Sequence, residues 1–113
     1  QWNVNISGSV RASVYMYSSD QSLKSDIYTT KWLETVLQLR GVDFKWKEDG
    51  RQDTWFIAQE VESVLPHLVN TDQSTGLKSV QYGNIVAPLV EAIKEQQKQI
   101  ESLQKEVTDL KNR

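Results

Sequence analysis

The chain has 113 residues, the size of one small domain, and its formal net charge at neutral pH is −2. Because acidic and basic residues nearly balance, neither nucleic acid nor a membrane surface is expected as a partner. Cysteine is absent and there is one histidine, which excludes disulfides and thiolate metal sites and predicts no metal and no cofactor. A domain this small gains limited stability from its own core, so oligomerisation is expected.

Residues 1–17 alternate between apolar and polar side chains. A period of two predicts extended strand, interrupted near residues 7–9. An isolated hairpin is barely stable in water, so these strands are expected to pair with other copies or with a longer body upstream. The predicted apolar face consists of Trp2, Val4, Ile6, Val10, Ala12, Val14 and Met16.

The next segment predicts a loop followed by a helix. Residues 18–28 are mostly polar and contain several serine and aspartate residues, which is typical of a loop. A helix is predicted over residues 31–39, with Thr29 or Thr30 as its cap and Gly41 at the position that ends it.

Alternation and turn residues predict further short elements between residues 42 and 82. Val42, Phe44 and Trp46 alternate with charged residues, and Asp49-Gly50 is a typical hairpin turn. The predicted elements are strands over 42–46 and 54–57, a helix over 58–65 ended by Pro66, a strand from Val69, a turn over 72–76 and a strand over 77–82. Together they predict an α+β fold, a small mixed helix/strand domain.

From residue 84 onward apolar residues recur at spacings of three and four. Four such heptads predict a coiled coil. The residue types alone favour a coiled coil of two helices, in which Gln96 forms a polar layer that fixes the register. Pro88 is expected to kink the helix or to mark its first regular turn. The predicted seam consists of Val86, Leu89, Ile93, Gln96, Ile100, Leu103, Val107 and Leu110.

Ser19 and Lys24 lie five positions apart in the polar loop. A serine hydroxyl becomes a nucleophile when a base takes its proton, and a lysine amine can do so once it is neutral. A compact turn would bring the two together as a Ser-Lys dyad. The alternative is that Ser19 or Asp20 caps a helix while Lys24 is solvated.

The loop contains the run Ser19-Asp20-x-x-Leu23-Lys24-x-x-Ile27. With three further stretches in the same order, within residues 39–46, 56–66 and 82–95, it resembles the C-terminal intramolecular chaperone domain of phage tailspikes, tail fibres and endosialidases. One departure is Ser22, where that family often has arginine.

The resemblance implies a self-cleaving serine peptidase that acts once, in cis. Ser19 would be the nucleophile and Lys24 the base, and the cut would fall between Ser18 and Ser19. Asp20 would orient Lys24 or the scissile bond, or serve the turn; both roles stay open.

The resemblance also implies how the chain is divided. Residues 1–18 would be the β-rich end of a trimeric fibre or spike, and residues 19–113 the chaperone domain. That domain would comprise a globular part (19–83) and a three-stranded coiled coil (84–113). The homotrimer would fold the upstream body as a virion tail precursor in the host cytoplasm and then be released. The alternative is a trimerisation or attachment module that is never cut.

Three other candidates are assigned no catalytic role. Ser25-Asp26 with Lys31 lacks the apolar flanks of the first pair, and Lys31 is expected to be solvated. His67 is expected at the surface, near a helix end. Glu60 is expected to contact a partner chain rather than to act as an acid or base.

Overall fold

A computed structural model describes residues 3–113, so the prediction for Trp2 lies outside the described residues. The fold is a small mixed assembly of helices and strands, which confirms the α+β prediction. Its elements are α1 (Leu33–Val36), β1 (Val42–Lys45), β2 (Gln52–Trp55), α2 (Ala58–Val64), β3 (Val69–Thr71), β4 (Lys78–Val80) and α3 (Val86–Lys111), with 3-10 turns at Gln21–Leu23, Pro66–Leu68 and Tyr82–Ile85.

Two antiparallel hairpins account for the four strands. In the first, Val42 pairs with Trp55, and the turn closes with a 2.8 Å bond from the Gly50 N–H to the Trp46 carbonyl. Gly50 has φ of +73°, a conformation that glycine adopts without strain. The predicted Asp-Gly hairpin is therefore confirmed. The second hairpin joins β3 to β4 and pairs Val69 with Val80.

The core is a small cluster beneath α2. Val61 and Leu65 are spaced one helical turn apart and are almost fully buried, and they contact Leu68 and Ile85. Pro66 follows directly, and α2 ends because the residue before a proline is pushed out of helical geometry. Half-buried residues that pack against this cluster are Trp32, Leu39, Phe56, Val64, Val69 and Val80.

The strands predicted over residues 1–17 do not form within the single chain in the part of this segment that the structure describes. Residues 3–18 contain neither helix nor strand, and their apolar side chains are exposed, as at Met16, which is 91% accessible. The physical reason is that a strand exists only when a second backbone takes up its hydrogen bonds. Nothing in the described part of the chain pairs with this segment.

The helix predicted over residues 31–39 is shorter than expected. Only Leu33–Val36 is α-helical, and Trp32, not Thr29 or Thr30, precedes it. The capping prediction is wrong because neither Thr29 nor Thr30 occupies the cap position. Trp32, which does, makes no side-chain capping bond. The actual cap comes from a distant residue and is described below.

Helix α3 is the dominant element, with 26 residues and a length of about 39 Å at 1.5 Å per residue. The predicted C-terminal helix is confirmed. Pro88 is its third residue, within the first turn, where a missing N–H removes no intrahelical bond. Among the described residues, no helix is both long enough and apolar enough to cross a bilayer.

Two neighbouring faces of α3 differ in burial. The body-facing side consists of Pro88 and Ala92, which are buried, and the half-buried Glu95 one turn further on. The predicted seam lies on the adjacent face, where Ile93 is 64% and Leu103 60% accessible. From residue 96 to the end, every residue is exposed. A single chain therefore leaves the apolar face of this helix uncovered.

Core truncation tests the placement of Leu65. We expect Leu65→Ala to lower the free energy of unfolding by about 2–5 kcal/mol, because it leaves a cavity in a small cluster. The matched control is Leu77→Ala, at a residue that is 72% accessible, which should change it by less than about 0.5 kcal/mol. Chemical denaturation followed by circular dichroism measures both. Equal effects of the two substitutions would contradict the described core.

Candidate functional site

The loop before α1 folds into a tight turn that Asp20 holds. The Asp20 carboxylate accepts hydrogen bonds from the Ser22 N–H at 2.8 Å and the Ser22 hydroxyl at 2.7 Å. Backbone bonds of 3.1 Å close the 3-10 turn from Leu23 to Asp20 and from Lys24 to Gln21. Aspartate is well suited to this role because its short side chain reaches the backbone two residues ahead. The turn reverses the chain between Ser19 and Lys24.

This reversal brings Ser19 and Lys24 together. The Lys24 Nζ donates a hydrogen bond of 2.8 Å to the Ser19 Oγ, within the range required of a nucleophile and its base. When the amine is neutral the same contact can run in reverse, with the hydroxyl donating. Both residues are exposed, as is Ser18, so water has access to the peptide bond between Ser18 and Ser19.

Asp20 contributes to the turn rather than to Lys24. Its hydrogen bonds from the Ser22 hydroxyl and N–H lower the pKa of the Asp20 carboxyl. A lowered folded-state pKa means that the stabilisation is present above about pH 4 and is lost as the pH falls through the folded-state value. Of the two roles left open for Asp20, the geometry favours the turn. Ser22 also stabilises the turn, because its N–H and hydroxyl both donate to the Asp20 carboxylate.

The other candidates lie apart from this pair. Asp26 has φ of +53° and belongs to the bend after the turn. His67 is exposed in a 3-10 turn, as expected. Within residues 3–113, no cluster of three or more acidic, histidine or cysteine side chains is arranged to hold a metal ion.

Glu60 makes an intrachain ion pair that the sequence did not reveal. Its two carboxylate oxygens accept from the Arg40 Nε at 3.0 Å and the Arg40 terminal nitrogen at 2.6 Å. These hydrogen bonds lower the pKa of Glu60 and raise that of Arg40. A two-pronged pair fixes orientation as well as distance, so it ties the segment after α1 to α2. The expected contact of Glu60 with a partner chain stays a prediction, and within the single chain its carboxylate binds Arg40.

Glu95 on α3 caps α1 from a distance. One carboxylate oxygen accepts from the Trp32 N–H at 2.5 Å, and both accept from the Leu33 N–H at 3.3 Å. These N–H groups at the start of α1 have no partner within their own helix. A carboxylate at the positive end of a helix is favourable. No local sequence motif identifies this cap, because the partners are more than 60 residues apart.

Comparison with known proteins shows which family the chain resembles. Residues 19–70 match the model of a family named Peptidase_S74 and described as chaperone of endosialidase. The match begins at Ser19 and includes Lys24, Arg40 and Glu60. Over this part of its length, the chain is similar to the chaperone-of-endosialidase family.

A phage protein extends the similarity beyond that match. The chain is 34% identical over 106 residues to the long tail fiber protein Gp37 of Salmonella phage S16. The alignment covers 84% of this chain but only 14% of that relative. Together with the family match, it supports a similarity of this chain to the chaperone domains of phage fibres.

The Glu95 cap of this chaperone domain can be tested directly. We expect Glu95→Ala to lower the free energy of unfolding by about 1–3 kcal/mol, since it leaves half-buried N–H groups without an acceptor. Glu95→Gln keeps one acceptor oxygen and should cost less. Glu101→Ala, at an exposed position of the same helix, is the control and should be nearly neutral. Hydrogen exchange at the amides of Trp32 and Leu33 should accelerate only in the Glu95 variants; unchanged protection would contradict the cap.

Proposed function

We propose that this domain is an intramolecular chaperone that trimerises, folds the β-rich fibre body upstream of it, and then releases itself by cutting between Ser18 and Ser19. The observation that carries the cleavage is the 2.8 Å contact between the Lys24 Nζ and the Ser19 Oγ. It lies at the first residues of the family match. The family name Peptidase_S74 is consistent with a peptidase of this kind.

The reaction proceeds in two steps. Neutral Lys24 takes the proton of the Ser19 hydroxyl while Oγ bonds to the carbonyl carbon of Ser18. The bond from that carbon to the Ser19 nitrogen then breaks, and the lysine returns the proton to the leaving amine. The product is an ester between Ser18 and the Ser19 side chain. Water hydrolyses this ester, which leaves a carboxylate on Ser18 and a free hydroxyl and amino terminus on Ser19.

The loop supports this chemistry by local pre-organisation. Nucleophile and base are joined by a turn whose hydrogen bonds all lie between Ser19 and Lys24. A short closed turn limits the conformations in which the two separate, so little entropy is lost on reaching the reactive geometry. The exposed setting also supplies the water that the second step consumes.

Trimerisation rests on the uncovered seam of α3. The large apolar residues along this face are 41–64% accessible in the single chain, and sustained heptads bury such residues against other copies. The body contacts the neighbouring face through Pro88, Ala92 and Glu95, so both surfaces can be satisfied at once. We assign a coiled coil of three helices, one from each chain, in line with the family resemblance.

The segment before the cut supplies a client for this trimer. Residues 3–18 carry an alternating apolar face that no other part of the described chain covers. Pairing strands from separate chains is slow because the contacts are non-local. A coiled coil that forms first holds three such segments at high local concentration. Cutting afterwards removes the assembly route and leaves the fibre kinetically trapped.

Cleavage is tested by the mass of the purified protein. The wild-type chain should yield a fragment that starts at Ser19. Ser19→Ala should abolish that fragment, and Lys24→Ala should slow its formation by about 10²- to 10⁴-fold because the base is lost. Ser25→Ala and Lys31→Ala are the matched controls and should cut normally.

An intact wild-type chain after long incubation would instead favour the permanent trimerisation module. Cleavage of an inactive variant by added active protein would indicate a peptidase that acts in trans. Either result would overturn the proposed single cut in cis.

Assembly is tested by polar substitutions in the seam. Leu103→Asn with Val107→Asn should convert the trimer to a monomer, because two apolar layers become polar. The control places the same change outside the seam, as Glu101→Asn with Lys105→Asn, and should remain trimeric. Light scattering coupled to size-exclusion chromatography measures the mass of each. Normal cutting by a monomeric seam variant would show that cleavage does not depend on assembly.

A further inference from the structure

Tyr17 packs against Gly83, the residue that follows β4 and Tyr82. A methyl group added to Gly83 would lie 3.1 Å from both the Cζ and the Oη of Tyr17. Such a separation is tighter than most contacts of this kind, so the ring would have to shift by a few tenths of an ångström to make room for the methyl group. Tyr17 is otherwise largely exposed, with 74% of its surface accessible. A side chain at position 83 would therefore displace the ring from this place, and a larger side chain would displace it further.

The backbone conformation does not explain this glycine. The described glycines with positive φ are Gly50 and Gly76, and Gly83 is not among them. An alanine at position 83 would therefore be free of backbone strain. What the glycine provides is space beside the turn, and the Tyr17 ring occupies that space.

The site that receives Tyr17 is firmly held. Gly83 belongs to the 3-10 turn Tyr82–Ile85, which leads directly into α3. On one side of it, Ile85 is buried in the core cluster. On the other, the Tyr82 ring packs against Phe56, with ring centroids 6.3 Å apart. A contact mounted on such an anchored turn can fix the position of the segment that rests on it.

Tyr17 is the second residue before the proposed cut, with only Ser18 between it and Ser19. We propose that Gly83 is a seat for Tyr17 and that this contact positions the Ser18 carbonyl for attack by Ser19. The inference rests on the proposed self-cleavage and adds Tyr17 and Gly83 to it as positioning residues. The turn fixes the nucleophile and its base, and the contact between Tyr17 and Gly83 restrains the Ser18 carbonyl, which is the group that is attacked.

This arrangement divides the restraint between two independent parts of the fold. Ser19 and Lys24 are set by bonds within their own loop. The scissile carbonyl is set by a contact with the 3-10 turn that leads into α3, the helix that carries the assembly seam. Because small errors in the approach of two reacting groups cost about a hundredfold in rate, loss of the seat should slow cutting while leaving the Ser19–Lys24 contact intact.

The experiment measures how fast the fragment beginning at Ser19 appears after the full chain is refolded by dilution. Gly83→Val should slow the cut by about 10- to 100-fold, and Gly83→Ala should slow it less, because the smaller group displaces the ring less. Gly41→Ala and Gly41→Val are matched controls at a glycine with no atom within 4 Å of an added methyl group. They should cut at the wild-type rate, and all four variants should retain the oligomeric mass.

Substitutions of Tyr17 separate positioning from a general structural role. Tyr17→Ala should slow the cut about as much as Gly83→Val, whereas Tyr17→Phe keeps the ring and should restore the rate. The double variant Tyr17→Ala with Gly83→Val should be no slower than Tyr17→Ala alone, since both remove one contact. Additive losses, or wild-type rates in Gly83→Val and Tyr17→Ala, would overturn the proposal.

The seat itself has a readout that does not require cleavage. In the uncut Ser19→Ala protein, nuclear Overhauser effects should connect the Tyr17 ring protons with the Gly83 α-protons, and Gly83→Val should abolish them. Their absence in Ser19→Ala would overturn the seat. If they are present but the wild-type chain does not cut, the proposed self-cleavage fails, and the positioning role fails with it, while the contact stands.

Discussion

Helix α3 has two neighbouring faces, one packed against the globular part and one apolar and exposed. The organisation of the domain follows from this arrangement. Through Pro88 and Ala92 it closes one side of the globular part, and through Glu95 it caps the start of α1. On the adjacent face it presents a row of apolar residues that the same chain leaves exposed. A face of this size is costly to leave in water. Under the proposed trimerisation, the helix therefore links the order of the globular part to contact with other copies.

The proposed reaction centre follows a different logic, since it depends on neighbours in sequence. Asp20 and Ser22 close a turn of a few residues, and this turn alone brings the Lys24 Nζ to the Ser19 Oγ. A site built this way does not need the rest of the fold to bring its two groups together. If cutting is to await assembly, the control must act on the peptide bond being cut, whose preceding segment reaches α3 through Tyr17 and Gly83.

The elements that could be predicted from the sequence are those determined by neighbouring residues. The dipeptide Asp49-Gly50 predicted the first hairpin, and Pro66 predicted the end of α2. The heptad spacing predicted the long helix α3. What local patterns could not give were partners distant in sequence. The cap on α1 comes from Glu95, more than 60 residues away, so the search for a cap at Thr29 or Thr30 failed.

The same limit applies to the site and to the amino-terminal segment. The spacing of Ser19 and Lys24 predicted their approach, because five residues and a turn suffice. The Arg40–Glu60 pair was missed because carboxylate and guanidinium groups are common and nothing local marks this one. For residues 3–18 the alternation is real, but a strand is a property of two backbones and a single chain supplies one.

The exposed end of α3 has a consequence for how the domain responds to dilution. Beyond Glu95 the helix has about four further turns, in which every residue is exposed. A peptide helix of that length is only marginally stable in water by itself. Under the proposed trimerisation, the helical content of this end therefore depends on the concentration of the chains. Chains that meet stabilise one another's helix ends, whereas a solitary chain is expected to leave its own end frayed.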